Sequence, residues 1–468
     1  MTNAVPNRHI LREDQMPGHW YNLRADLPEK LDPMLMADGY PAGFMDLQSI
    51  FCDALIRQEF DDYTPYISIP SGVEEVYGTY RPSPLCRARS LEKFLDTPAR
   101  IYYKFEGNNT SGSHKLNSAV AQAYYGKEQG LTTLVTETGS GQWGTALSEA
   151  AAHYGLKCDV FMVRSSYDLK PARRSIMQTF GSTVTASPSD KTAAGRKMLA
   201  RDPFSPGSIG TAMSEAVETA LKVPSSKGRY QLASTLNQVA LHQSIIGQEC
   251  HVAFEEMGEY PDIVIGCVGG GSNFAGMLSP FMRDKLQGRH AQTRFIAVEP
   301  SACPTLTRGR YAYDYVDAAQ ICPLVKMYTL GHGFVPSSLH VGGLRYHGMN
   351  PMLSRLVHDG KVEAVAVDQL DVFEAANTFS RVETTLPAPE SAHAICVAIE
   401  EAKKCAESGE AKTILFGLTG TGYFDMEAYE QFNHGAMVNY SPSDQELEEG
   451  FASIPAIPGV QRQGGLPL

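Results

Sequence analysis

Ile263-Val-Ile-Gly-Cys-Val268 runs straight into Gly269-Gly270-Gly271-Ser272-Asn273, and Phe274–Leu286 follows with helical spacing. An apolar run of this length reads as a strand buried on both faces. The glycines after it form the turn that feeds a helix, so the stretch is one βα unit of a parallel sheet. The same order recurs outward from it. Leu131–Thr136 precedes the helical spacing of Trp143–Tyr154, and Cys158–Val163 precedes Pro171–Thr179. Arg294–Val298 and Thr413–Leu418 are further apolar strands. The fold class is therefore α/β, built on a buried parallel sheet.

The length of 468 residues predicts two or three structural units. Residues 1–75 are rich in Pro, Asp and Met and read as an N-terminal extension with short helices, one around Leu47–Gln58. Strand and helix alternation begins near residue 76, and the tail beyond about Met437 reads as loosely held. The net charge of −12 disfavours a nucleic-acid or anionic-membrane surface. Nine scattered cysteines with no Cys-x-x-Cys pair argue against a structural metal site and suit reduced thiols in a cytoplasm. The polar N-terminus lacks the apolar core of a signal peptide, and no apolar run is long enough to span a bilayer.

Several segments carry chemistry. Gly269, Gly270, Gly271, Ser272 and Asn273 allow a backbone to wrap a phosphate, with a helix N-terminus behind it. The segment matches neither the P-loop nor the dinucleotide fingerprint, which disfavours the nucleotidase and dehydrogenase readings. Lys115 lies in Ser111-Gly-Ser-His114-Lys115-Leu-Asn117, an unusual setting for an exposed lysine. Buried, it would be a nucleophilic amine able to form a Schiff base. Glu137-Thr138-Gly139-Ser140-Gly141-Gln142 lies where a strand ends and a helix opens, a natural anion site. Glu137 at its mouth is a candidate acid/base. Pro387-Ala-Pro-Glu390-Ser391-Ala-His393 and Thr419-Gly-Thr-Gly422 are weak signals taken singly.

In this order, the segments resemble the β subunit of tryptophan synthase, a fold-type II pyridoxal-phosphate enzyme. His19-Trp-Tyr-Asn22, Leu55-Ile-Arg-Gln-Glu59, Lys326-Met-Tyr328 and Gly342-Gly-Leu-Arg345-Tyr-His-Gly348 resemble its second, divergent branch. The resemblance covers roughly residues 10–430. It implies two open, twisted, mostly parallel sheets with helices on both faces and the cofactor between two lobes. The implied division is 1–75 as extension, 76–240 as N-terminal lobe, 241–435 as C-terminal lobe and 436–468 as tail, with a mobile subdomain at about 130–225.

By the same resemblance, Lys115 holds pyridoxal 5'-phosphate, with His114, Asn117, Gln142, Glu390 and Thr419 around it and Gly269 to Asn273 on its phosphate. Glu137 is the acid/base at the substrate's Cβ, and Thr138 to Gln142 bind the amino-acid carboxylate. The implied reaction forms an aminoacrylate from serine and adds indole to give L-tryptophan. Arg345 stands where the main branch carries an aspartate, and an arginine there suits a phosphate. O-phospho-L-serine is thus expected in place of, or beside, L-serine. Ser140, Thr384-Thr385, Gly417 and Thr419 also depart from the family's usual residues. Three alternatives stay open: β-replacement with another nucleophile, serine/threonine deamination, and a silent binding homologue. A homodimer and a monovalent cation held by backbone carbonyls are implied, and a tryptophan synthase α subunit is doubtful.

Overall fold

The computed structural model describes residues 6–224, 226–337 and 340–457. The seven-stranded sheet runs in the order Arg8–His9, Leu85–Arg87, Arg100–Phe105, Thr413–Leu418, Ile263–Cys267, Arg294–Pro300 and Glu363–Val367. From Arg100–Phe105 onward every neighbouring pair is parallel, and the two strands before it pair antiparallel at that edge. Ile263–Cys267 lies between parallel neighbours and every one of its residues is buried, which is why it reads as an unbroken apolar run.

A second, four-stranded sheet is parallel throughout, in the order Thr183–Ser187, Lys157–Val163, Thr133–Thr138 and Gly228–Gln231. Its helices begin where the sequence places them. Pro171–Thr179 starts with proline at its first turn, and Gln142–His153 opens on Gly141 at φ 95°. The seven-stranded sheet draws strands from both sides of residue 240.

The N-terminal segment packs into the body of the protein, with Trp20, Tyr21 and Leu23 about 0–1% exposed. The helix expected around Leu47–Gln58 is broken into Phe44–Leu47 and Asp53–Phe60. The break lets Ile50 and Phe51 turn into the core against Tyr230, and Cys52 adopts an extended backbone. The tail differs from its loose reading up to residue 457. Asp444–Phe451 forms a helix opened by a Ser443/Glu446 capping box, and Leu447 and Phe451 bury against Leu330 and Phe334. Residues 458–468 lie outside the described residues.

Helices Asn237–Met257 and Ser272–Leu286 cross backbone to backbone. A Cβ at Gly247 would sit 2.4 Å from the Met277 carbonyl oxygen, and one at Gly276 would sit 2.3 Å from the Gln243 carbonyl carbon. The second helix carries the glycine turn on its N-terminus, so this contact fixes the turn's depth. Gly276→Ala is expected to destabilise the protein by about 2 kcal/mol or more. Urea unfolding checks this, and an unmoved midpoint would show that the helices can part without cost.

Candidate active site

Strands of both sheets end at one cleft. Its wall includes Lys115, Glu137, Thr138, Gly139, Ser140 and Gly270. Ligands bind at the carboxyl ends of such strands because helix N-termini and loop N–H groups converge there.

Lys115 is the residue before helix Leu116–Glu128. Its amine has no hydrogen bond to a described residue, and burial lowers its pKa, with Glu137, Glu390 and Cys267 opposing. The helix's positive end adds to the cost of an ammonium there. His114 donates its backbone N–H to the Thr419 carbonyl at 2.9 Å, and burial holds its imidazole down at about 3, so the ring is neutral.

Glu137 is 1% exposed, and burial raises its carboxyl above the usual range. Its Oε2 accepts the Tyr230 hydroxyl, and its Oε1 accepts only a long 3.4 Å bond from the Ala233 N–H. The following turn is tied locally: Thr138 Oγ1 accepts the Gly144 N–H at 3.0 Å, and Trp143 Nε1 donates to Thr136 at 2.6 Å. Gln142 donates to Glu390 Oε2 at 3.3 Å, while Glu390 Oε1 accepts the Gly343 N–H at 2.9 Å. Glu390 therefore joins the 138–142 turn to the loop that carries Arg345. Thr419 Oγ1 lies 2.9 Å from Ser391 Oγ and 3.6 Å from Cys267 Sγ.

The glycine turn fits a phosphate group. Gly271 has φ 87°, and a Cβ at Gly270 would meet Ser234 Oγ at 2.6 Å. At Gly269 a Cβ would lie 2.6 Å from the Gly343 carbonyl oxygen. No described acceptor takes the N–H groups of Gly269, Gly270 or Gly271. Ser272 Oγ contacts Ser234 Oγ at 2.9 Å, and Asn273 donates back to the Cys267 carbonyl at 3.0 Å, which pins the turn.

Two expected site residues lie elsewhere. Asn117 is saturated inside the protein: its Oδ1 accepts from Arg81 at 2.7 Å and Tyr80 at 3.1 Å, and its Nδ2 donates to Glu106 at 3.1 Å and Gln243 at 3.0 Å. It anchors the helix that begins beside Lys115 to the buried Arg81–Glu106–Glu249–Lys104 ion network, with no capacity left for a cofactor. Arg345 lines an adjoining cavity with Lys170, His340 and Gly342, not the cleft around Lys115. Its Nη1 donates to the Ser337 carbonyl at 2.7 Å, and its buried Nε has no hydrogen-bond partner among the described residues.

Residues that the sequence did not single out also form the site. Tyr230 lies in the short strand Gly228–Gln231, Ser234 and Thr235 follow that strand without a glycine turn, and Thr235 holds φ 76° with no sequence signal for it. Cys267 is hidden inside the apolar run.

A lysine beside a glycine phosphate cradle, in a cleft between parallel sheets, is the arrangement of a pyridoxal-phosphate dependent enzyme, and the family model of that description matches residues 76–420. Tryptophan synthase beta chain 2 of Thermotoga maritima is 53% identical over 90% of this chain and 98% of its own length. The Aquifex aeolicus protein of the same name is 51% identical over 92% of this chain and 100% of its own. The chain belongs to the tryptophan synthase beta chain family of pyridoxal-phosphate dependent enzymes. A fungal L-serine ammonia-lyase from Rhizomucor miehei shares the fold, with a TM-score of 0.56 and 17% identity over 76% of this chain and 99% of its own. Maize serine racemase does so at 0.53 and 16% over 78% and 98%.

Gly270→Ala pushes a methyl into Ser234 and narrows the cradle. Absorbance titration of the apoenzyme with pyridoxal phosphate is expected to show affinity weakened about tenfold or more. Unchanged affinity would place the phosphate elsewhere.

Proposed function

We propose that this chain joins indole to the β-carbon of a serine-type amino acid, giving L-tryptophan by β-replacement. The observation that carries the reading is the composition of one cleft. Lys115 and Glu137 open onto it together with an apolar wall of Trp143, Ile209, Met213 and Leu232. Deamination needs water at the reacting carbon, whereas an apolar wall favours a flat aromatic acceptor.

When bound, pyridoxal phosphate supplies the electron sink that lets a proton leave the amino acid's Cα and a group leave its Cβ. Lys115 would hold the cofactor and, as a free amine, is the base that would take the Cα proton. Its lowered pKa suits it to that task. Gly269 to Asn273 bind the phosphate, and the turn from Thr138 to Gln142 binds the substrate carboxylate. Glu137 gives a proton to the departing β-substituent and then accepts the proton indole releases, which a raised pKa allows near neutrality. Thr419, supported by the Ser391 contact, would meet the pyridine nitrogen of a bound cofactor, with His114 and Glu390 beside its ring. The unit at about 130–225 would close over the cleft, and the Lys170–Asp425 ion pair is among the contacts that tie it to the rest of the protein.

For the donor, Arg345, Lys170 and His340 border one cavity next to the 138–142 turn. This favours O-phospho-L-serine beside L-serine. The homodimer and the monovalent cation enter on the family relationship alone. The cytoplasmic location rests on nine free cysteines, all buried.

Purified holoenzyme is expected to form tryptophan from indole with either donor. Arg345→Ala should raise KM for O-phospho-L-serine about tenfold or more and leave L-serine kinetics near wild type. Equal loss with both donors, or a strong serine preference untouched by the substitution, overturns the donor assignment. Glu137→Gln should slow tryptophan formation by about a hundredfold or more. Full activity in that variant removes Glu137 from the chemistry.

A further inference from the structure

Tyr230 and Glu137 sit on adjacent parallel strands, with Tyr230 two residues behind in register, paired to Val135. The phenol is fully buried, and its O–H donates to Glu137 Oε2. Its ring packs on Phe51 at 5.7 Å and forms part of a wholly apolar cavity with Leu47, Phe51, Val316 and Cys322. The hydroxyl is thus the one polar atom Tyr230 presents, and it presents it to the carboxylate. Glu137 Oε1 is left with the long Ala233 contact.

We propose that Tyr230 is a positioning residue of the reaction: it binds Glu137 Oε2, so that Oε1 is the oxygen that exchanges protons with the substrate. The proposal rests on the reading of Glu137 as the acid/base. A phenol that keeps its proton donates to the ionised carboxylate, and burial holds Tyr230 protonated throughout the working range. It therefore does two things to Glu137. It fixes the carboxyl rotation, and it stabilises the ionised form against the burial that opposes it. The carboxyl is left able to ionise, yet still titrates above an ordinary glutamate.

The groups facing this pair are few. Lys115 acts on Glu137 and lowers its pKa, Cys322 acts on both partners, and Tyr346 acts on Tyr230. Cys322 and Tyr346 are both held well above their ordinary values, so they stay neutral; Tyr230 is the main side-chain donor to the carboxylate, with Thr136 Oγ1 adding only a long 3.5 Å bond to the same oxygen.

Tyr230→Phe removes one oxygen and keeps the ring. In the holoenzyme, the acid limb of kcat/KM for indole should move up by about one pH unit, because the carboxyl loses a donor to its ionised form. kcat at neutral pH should fall about tenfold with KM for indole little changed. The Glu137 carboxyl band, assigned in the infrared by difference from Glu137→Gln, should titrate upward by the same amount without substrate. Installing 3-fluorotyrosine at position 230 makes a stronger donor, disturbs packing least, and should move the band downward. A pH profile and a carboxyl band that match wild type in the phenylalanine variant, or a 3-fluorotyrosine shift in the same direction, overturn the proposal. In the Glu137→Gln background, Tyr230→Phe should cost nothing further in rate, and additive losses would show a purely structural tyrosine. Glu137→Gln with full activity defeats the acid/base reading instead.

Discussion

An amine is held at a helix N-terminus, in a cleft between the two sheets, with no hydrogen bond from a described residue to satisfy it. A lysine in that position costs stability unless something completes it, because both burial and the helix dipole oppose its charge. Much of the structure serves to keep Lys115 there. Asn117, two residues on, ties the start of the helix to Arg81 and Glu106 in a fully buried network. Removing one ion of such a network strands its partner, so the anchor does not yield gradually. The lysine's place is fixed from behind, by groups that never touch the reaction.

The same burial sets the second functional group. Burial pushes Lys115 down and Glu137 up, which brings a base and an acid toward the same pH range from opposite sides. Both shifts come from the two sheets meeting at their carboxyl ends, where the glycine turn, the 138–142 turn and the 232–235 segment converge. The tight crossing at Gly247 and Gly276 holds the glycine turn at the depth where its N–H groups stay open to a phosphate. Fold and reactivity thus depend on the same close approaches.

The legibility of these features in the sequence follows their range. Strands such as Ile263–Cys267 and Thr413–Leu418 are buried on both faces, and glycine turns announce themselves locally, so both can be read from single segments. Lys115 and Glu137 stand in distinctive surroundings and converge on one cleft as expected. Asn117 shows the limit: its neighbour faces the cleft, but its partners are Arg81, Glu106 and Gln243, distant in sequence. Tyr230 is the converse case, an ordinary strand tyrosine whose meaning comes only from the parallel pairing that sets it beside Glu137's strand. The break between Leu47 and Asp53 was likewise invisible, because the core that draws Ile50 and Phe51 inward is built from later strands.

The central claim is that Lys115 is the one lysine that carries the cofactor. Borohydride reduction of the holoenzyme followed by peptide mapping tests it directly. The expected result is one pyridoxyl group per chain, on the peptide containing Lys115. A label on any other lysine, or a cofactor that washes away unreduced, would contradict it.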